Sequence, residues 1–124
     1  MKKNWVFSMK FKIEYSKIVK RKMKALKKYL TDEFGAETAR AGIKTVMKSI
    51  KQLSDHPEKG ISVAETFDVD TDFRYLYVKH NYFFYYIEND KVIIAEMFNE
   101  QEDFMYKLFG ISSISEESEE YWGE

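Results

Sequence analysis

Apolar and charged residues alternate through Met9-Lys10-Phe11-Lys12-Ile13-Glu14-Tyr15. A period of two places one set of side chains on a single face, so this stretch predicts a strand with one buried side. The period then changes. Val19, Met23, Leu26, Leu30 and Phe34 recur every three or four residues, the spacing of one stripe on an α-helix. Ser16 precedes the stripe as an N-cap hydroxyl, and Gly35 follows it as a residue able to take the left-handed conformation that ends helices. A second stripe of Ala39, Ile43, Val46, Met47, Ile50 and Leu53 predicts a helix from about Ala36, stopped at Asp55-His56-Pro57 because proline cannot continue it. A link of one or two residues makes the two helices an antiparallel hairpin.

Residues 58–72 are mixed and acidic, and predict a loop with a short strand near Ala64–Phe67. Three segments rich in β-formers follow: Phe73–Val78, Tyr82–Ile87 and Val92–Phe98. The turns between them, Lys79-His80-Asn81 and Glu88-Asn89-Asp90, are short enough to predict an antiparallel meander. Phe104–Phe109 predicts a short helix ended by Gly110. The order is β-α-α-β-β-β. The hairpin must bury its stripes, and one face of the sheet is the large apolar surface on offer. The expected fold class is therefore α+β: an N-terminal strand, then an antiparallel helical hairpin packed on a twisted antiparallel sheet of about four strands, then a short C-terminal helix. An N-terminal extension (1–8), one domain (9–110) and an acidic tail (111–124) complete the expected organisation.

Composition narrows the chemistry. A chain of 124 residues with 44% hydrophobic content can build one core. It has no cysteine, which removes disulfides, thiolate metal sites and a cysteine nucleophile. Lys10 and Lys12 break up the N-terminal apolar stretch before it reaches signal-peptide length, and nothing approaches a transmembrane span. The expectation is a soluble, cytoplasmic chain with no membrane partner. The net charge of −1 conceals an asymmetry. Residues 1–50 hold 14 Lys/Arg against 4 Asp/Glu, a balance of +10, and the rest hold 6 against 17, a balance of −11. Either the first half faces an acidic partner, or its helices have lysine-rich solvated faces.

Several motifs now stand in order: a strand before a helical hairpin turned at Phe34-Gly35, then Asp55-His56-Pro57, then Phe73-Arg74 opening a strand. Asn81-Tyr82-Phe83-Phe84-Tyr85-Tyr86 and Asn99-Glu100-Gln101-Glu102-Asp103-Phe104 complete the set. Over about residues 9–109 this pattern resembles the RelE/ParE toxin superfamily. The resemblance implies the toxin of a type II toxin–antitoxin pair, held inactive by a cognate antitoxin. Its target would be DNA gyrase on the ParE-like side, which the long hairpin and the Asn-Tyr strand favour. The alternatives are a ribosome-dependent mRNA endonuclease of the RelE-like kind, or a degenerate member that only binds its antitoxin. Relatives often carry His-x-Arg after the last strand, and here Asn99 and Gln101 match those positions. Neutral amides offer hydrogen bonds but no charge for a scissile phosphate.

The candidate catalytic residues are Arg74, His80, Tyr82, Tyr86 and Gln101. Arg74 matches an arginine the family carries and has a fork of donors for phosphate, or a salt bridge to Asp70, Asp72 or Asp103 as its structural role. His80 can transfer protons near neutral pH, or simply sit in a turn. Tyr82 and Tyr86 share a strand face and can stack on bases, or serve as core and rim residues. Lys20, Lys24, Lys27 and Lys28 on the first helix are the candidates for an antitoxin or polyanion. No metal-ligand spacing, phosphate loop or dinucleotide fingerprint is present, so no cofactor is expected.

Overall fold

The computed structural model describes residues 10–102. The expected extension at 1–8, helix at 104–109 and tail at 111–124 lie outside the described residues. Within them the chain runs β1 (Lys12–Tyr15), α1 (Lys17–Phe34), α2 (Ala36–Lys51), a 3-10 turn (Gln52–Ser54), β2 (Ile61–Ser62), α3 (Val63–Phe67), β3 (Arg74–Val78), β4 (Asn81–Glu88) and β5 (Lys91–Asn99).

The caps explain the helix boundaries. The Ser16 hydroxyl accepts from the Val19 amide at 3.1 Å and donates to the Ala95 carbonyl at 2.9 Å, so it starts α1 and ties it to β5. Gly35 has φ +97°, a region open to a residue without Cβ. Its ψ of 160° makes it an extended corner rather than a left-handed helical one. Its amide donates to Thr31 and its carbonyl accepts from Ala39, so one residue closes α1 and opens α2.

The sheet departs from expectation in two ways. It has five strands, in the order β1-β5-β4-β3-β2, and it is mixed. The β3-β4-β5 meander is antiparallel as expected, but β1 pairs parallel to β5, from Lys12 opposite Lys91 to Tyr15 opposite Ile94. A parallel neighbour needs a long crossover, and the intervening helices and strands supply one. The other correction concerns Ala64–Phe67, which is helical. The Ser62 hydroxyl accepts from the Glu65 amide at 3.2 Å, the Thr66 hydroxyl donates to the Ser62 carbonyl at 2.8 Å, and Asp68 closes the turn at φ 57°.

The two faces of the sheet bury different sets. The helical hairpin and the 3-10 turn after it cover Phe83, Tyr85, Val92, Ile94 and Met97 with Val19, Val46, Ile50 and Leu53. On the opposite face Val63, Tyr75, Phe84 and Phe98 pack with Phe67, Phe73 and Tyr82. Full burial of each such side chain contributes roughly 1.5–3 kcal/mol. The register shifts between Phe84 and Tyr85, which pair with Glu96 and Ile94, so Ala95 is an extra residue in β5. Beyond this bulge β1 no longer covers the edge of β5. Helix α1 takes over: Lys22 donates to the Met97 carbonyl at 2.9 Å, pairs with Glu96 at 3.0 Å and sits 4.2 Å from the centre of the Phe98 ring. An exposed strand edge is thereby capped by a lysine.

Candidate functional site

The apolar stripe of α1 outruns the sheet. Val19 is fully buried at the start of the helix, whereas Tyr29 is 56% and Phe34 is 60% exposed near its end. The tip of the hairpin therefore overhangs the β3–β4 turn and the end of β5, and a groove lies between them. One part, of about 330 Å³, is lined by Leu26, Leu30, Phe34, Gly42, Val46 and the turn residues Lys79 to Asn81. It continues into a wider part of about 580 Å³ that adds Tyr29, Asn99, Glu100 and Gln101. A third part of about 260 Å³ reaches Lys22, Ala25, Met97, Phe98 and Glu102.

The rim of this groove is a hydrogen-bonded polar cluster. Lys79 and His80 have φ 52° and 69°, so a two-residue hairpin turn is built with positive φ at two non-glycine residues. Such conformations cost of order 1–3 kcal/mol each and persist only where the surroundings impose them. Here the Asn81 amide side chain donates to the Lys79 carbonyl at 2.8 Å, and the Glu100 amide donates to the His80 carbonyl at 2.8 Å. One oxygen of Glu100 lies 2.9 Å from His80 Nδ1, and the other accepts from the Tyr77 hydroxyl. That hydrogen bond, followed by the charge of His80, holds the Glu100 carboxyl below its ordinary range. The same bond, together with desolvation, raises the Tyr77 phenol. The last turn is closed similarly: Asn99 Oδ1 accepts from the Gln101 amide at 2.9 Å, and Glu102 accepts from the Asn99 amide at 3.0 Å.

Comparison with known proteins bears on this arrangement. Residues 13–104 match the family model described as the ParE toxin of the type II toxin–antitoxin system parDE. The chain belongs to the ParE toxin family. The fold agrees: the toxin resembles a solved chain titled "Chromosomal ParDE TA system from P. aeruginosa", with a TM-score of 0.61 and 12% identity over 74% of this chain and 98% of that one. No curated protein matches by sequence.

In this ParE-family toxin the residues singled out from sequence do not form one cluster. Arg74 stands at the start of β3 opposite Tyr85, and His80 lies beyond the other end of that strand. Val78 lies four steps along the strand from Arg74, about 13 Å at the usual rise. Arg74 Nη1 donates to the carbonyls of Gly60 at 2.9 Å and Glu58 at 3.4 Å, and Asp70 and Asp72 are not its partners. Tyr82 and Tyr86 do share a face, but both are half-buried and packed in rings. Tyr82 lies 4.9 Å from Tyr77 between ring centres, and Tyr86 stacks 5.7 Å from Phe73. Only His80 and Gln101 line the groove.

The four candidate lysines also divide. Lys20 and Lys24 flank a separate hollow with Tyr15, Met23 and Met47. Lys28 pairs with Asp32 at 2.8 Å, which raises its ammonium, and Lys27 is exposed. Sequence reasoning passed over Tyr77 and the groove itself; Glu100 stood out, with Gln101 and Asp103, as a polar residue after the last strand, but its bonds to Tyr77 and His80 did not. The available signal was in the stripe, whose apolar row runs on to Phe34, the last residue of the helix and one turned to solvent beside the Gly35 corner. Among the described residues no helix is long and apolar enough to cross a membrane, and no group of three side chains could hold a metal.

Proposed function

We propose that this ParE-family toxin inhibits growth by binding DNA gyrase, and that a cognate antitoxin neutralises it by laying an apolar segment into the hairpin-tip groove. One observation carries the choice of binding over RNA cleavage. Of the charged side chains lining the groove where the last strand ends, Glu100 and Glu102 are acidic, with neutral Asn99 and Gln101 beside them. Acidic groups repel a phosphate backbone. Arg74, which could have offset them, is hydrogen-bonded to backbone carbonyls at the far end of β3. The lysines facing the groove are Lys79 and Lys22, and Lys22 is already paired with Glu96.

The antitoxin reading is supported by the shape of the groove. Leu26, Leu30 and Phe34 form the kind of i, i+4, i+8 apolar row that takes an amphipathic segment. The P. aeruginosa neighbour is titled as a ParDE system, which fits a paired partner here too. A second reading, RNA cleavage, draws on His80 and Glu100 at 2.9 Å, a couple able to move a proton. Induced expression without antitoxin tests both. The proposal expects growth arrest, with loss of supercoiling when purified toxin is added to gyrase. Unaffected gyrase together with cuts in translated mRNA would establish the nuclease. Growth that continues unchanged would leave antitoxin binding as the sole function.

A further inference from the structure

We propose that the outer face of the helical hairpin binds the phosphate backbone of duplex DNA without reading its sequence. This face is separate from the hairpin-tip groove, and the inference stands whichever target the toxin poisons. On α1, Lys17 and Arg21 lie two positions either side of the buried Val19, and Lys24 and Lys28 two either side of Leu26, which packs on the same core. On α2, Lys44 and Lys48 flank the buried Val46 in the same way, with Arg40 and Lys51 extending the row at each end. Two positions turn a helix by about 200°, so both rows point away from the sheet that Val19 and Val46 cover. All of these cations are exposed. Among the described residues Lys28, with Asp32, is the only one of them in an ion pair.

Folding does not ask for this pattern. Helix α1 has no acidic residue in its first turn and no basic residue in its last, where Asp32 and Glu33 stand instead. Lys17 and Lys20 therefore meet the positive end of the helix dipole, and the two acids its negative end, so both ends are charged against it. Lys17 and Arg21, Lys24 and Lys28, and Arg40, Lys44 and Lys48 are like charges at intervals of four, which repel along a helix. A polyanion turns that repulsion into attraction. The acids of the hairpin, Asp32, Glu33 and Glu37, are confined to its tip. Shape narrows the class of polyanion. Each row spans about 16 Å of helix, and helices packed side by side lie about 8–10 Å apart. Duplex grooves are about 6–12 Å wide, so each row can follow one strand of the backbone. About ten phosphates fall within 16 Å of duplex axis, roughly half of them turned towards the protein. A protein partner calls for a different surface, because interface cores are depleted of lysine and enriched in aromatic rings. No Phe, Tyr or Trp lies between Ile18 and Lys28 or between Ala36 and Lys51.

The test is fluorescence anisotropy of the full chain with labelled DNA duplexes of two unrelated sequences, titrated from about 50 to 200 mM salt. We expect equal affinity for both sequences, dissociation constants on the order of micromolar at the lowest salt, and a log–log salt slope near −4, about 0.9 for each phosphate met. The combined variant Arg21→Gln, Lys24→Gln, Arg40→Gln and Lys44→Gln should bind at least about tenfold more weakly and flatten that slope by about 3. Its thermal midpoint should hold or rise, since repulsion is relieved. Lys10→Gln, Lys59→Gln and Lys91→Gln, which remove three cations off the hairpin, should leave affinity and slope unchanged. Absence of duplex binding at the lowest salt overturns the proposal, and so does a hairpin variant that keeps the parent affinity and slope. Polyglutamate of equal charge that binds more tightly than the duplex also overturns it, since the occupant would then be an acidic polypeptide. The readout involves no gyrase, so this inference and the target reading fail separately.

Discussion

The two ends of the β3–β4 hairpin are built on opposite terms. At the closed end Tyr85 is fully buried. Its hydroxyl donates to the Pro57 carbonyl at 2.7 Å and accepts from the Gly60 amide at 2.8 Å, and Arg74 ties down the Gly60 and Glu58 carbonyls beside it. Polar groups there are satisfied within the chain. At the open end two residues sit in left-handed turn conformations, large apolar side chains face solvent, and a polar cluster frames a groove. The closed end makes the fold, while the open end retains strain and exposure that folding alone does not require. Arg74 and Tyr85, residue types that look chemical, both hold backbone in place at the closed end.

The sharpest attack on this contrast is at Gly60. A Cβ there would lie 2.5 Å from the Tyr85 hydroxyl and 2.9 Å from the Tyr75 backbone carbonyl. The carbonyl belongs to a central hairpin and cannot yield. Gly60→Ala should therefore destabilise the fold by about 3 kcal/mol, read by denaturant unfolding. Tyr85→Phe leaves the Gly60 amide and Pro57 carbonyl without their partner and should cost about 2 kcal/mol. A neutral outcome for either would show that the closed end is not the anchor described.

The next effect is on binding instead of stability. Tyr29→Ser with Phe34→Ser removes two exposed rings and should change stability by less than about 0.5 kcal/mol. Affinity for the antitoxin should nonetheless fall about tenfold or more, some 1.4 kcal/mol. Unchanged affinity by titration calorimetry would move the binding surface elsewhere. Replacing Lys79-His80 by Asn-Gly should stabilise the toxin by about 1 kcal/mol, because that pair prefers the positive-φ turn. If the turn contacts a partner, the more stable variant will be less toxic, and full toxicity would mark the strain as incidental.

Much of this was legible in sequence, for reasons particular residues show. The stripe from Val19, the Ser16 cap and Gly35 fixed the hairpin because helix signals are local. Ser62-Val63-Ala64-Glu65 is also a local signal, a capping-box spacing that announces α3, and the brevity of that helix, five residues inside an acidic loop, obscured it. The parallel docking of β1 on β5 was not legible, since pairing across some 75 residues leaves no local trace. The bulge at Ala95 left one: Val92 and Ile94 are two apart, but the next residue of that face, Met97, is three further on. The salt bridge to Asp70 or Asp72 expected as the structural role of Arg74 gave way to hydrogen bonds on backbone carbonyls, which no side-chain pattern reveals.

The smallest effect separates the two ends by pH. Closed-end hydrogen bonds from Tyr85 and Arg74 run to backbone amides and carbonyls, which do not titrate in acid. At the open end Glu100 is held below the ordinary value of 4.5, chiefly by the Tyr77 hydroxyl and then by His80. A depressed carboxylate contributes stability above its unfolded value and loses that contribution as pH falls through the folded one. Tyr77 has the opposite sign: its raised phenol contributes below its ordinary 10.0 and loses the contribution as pH climbs through the folded value. Both groups lie at the surface, so solvent keeps the effect small. Glu100→Gln should lower the unfolding midpoint slightly at neutral pH, and the deficit should vanish in acid below the depressed value. A deficit that stays constant across that range would mean that Glu100 acts through packing, and the open end would then have no charged cluster to distinguish it.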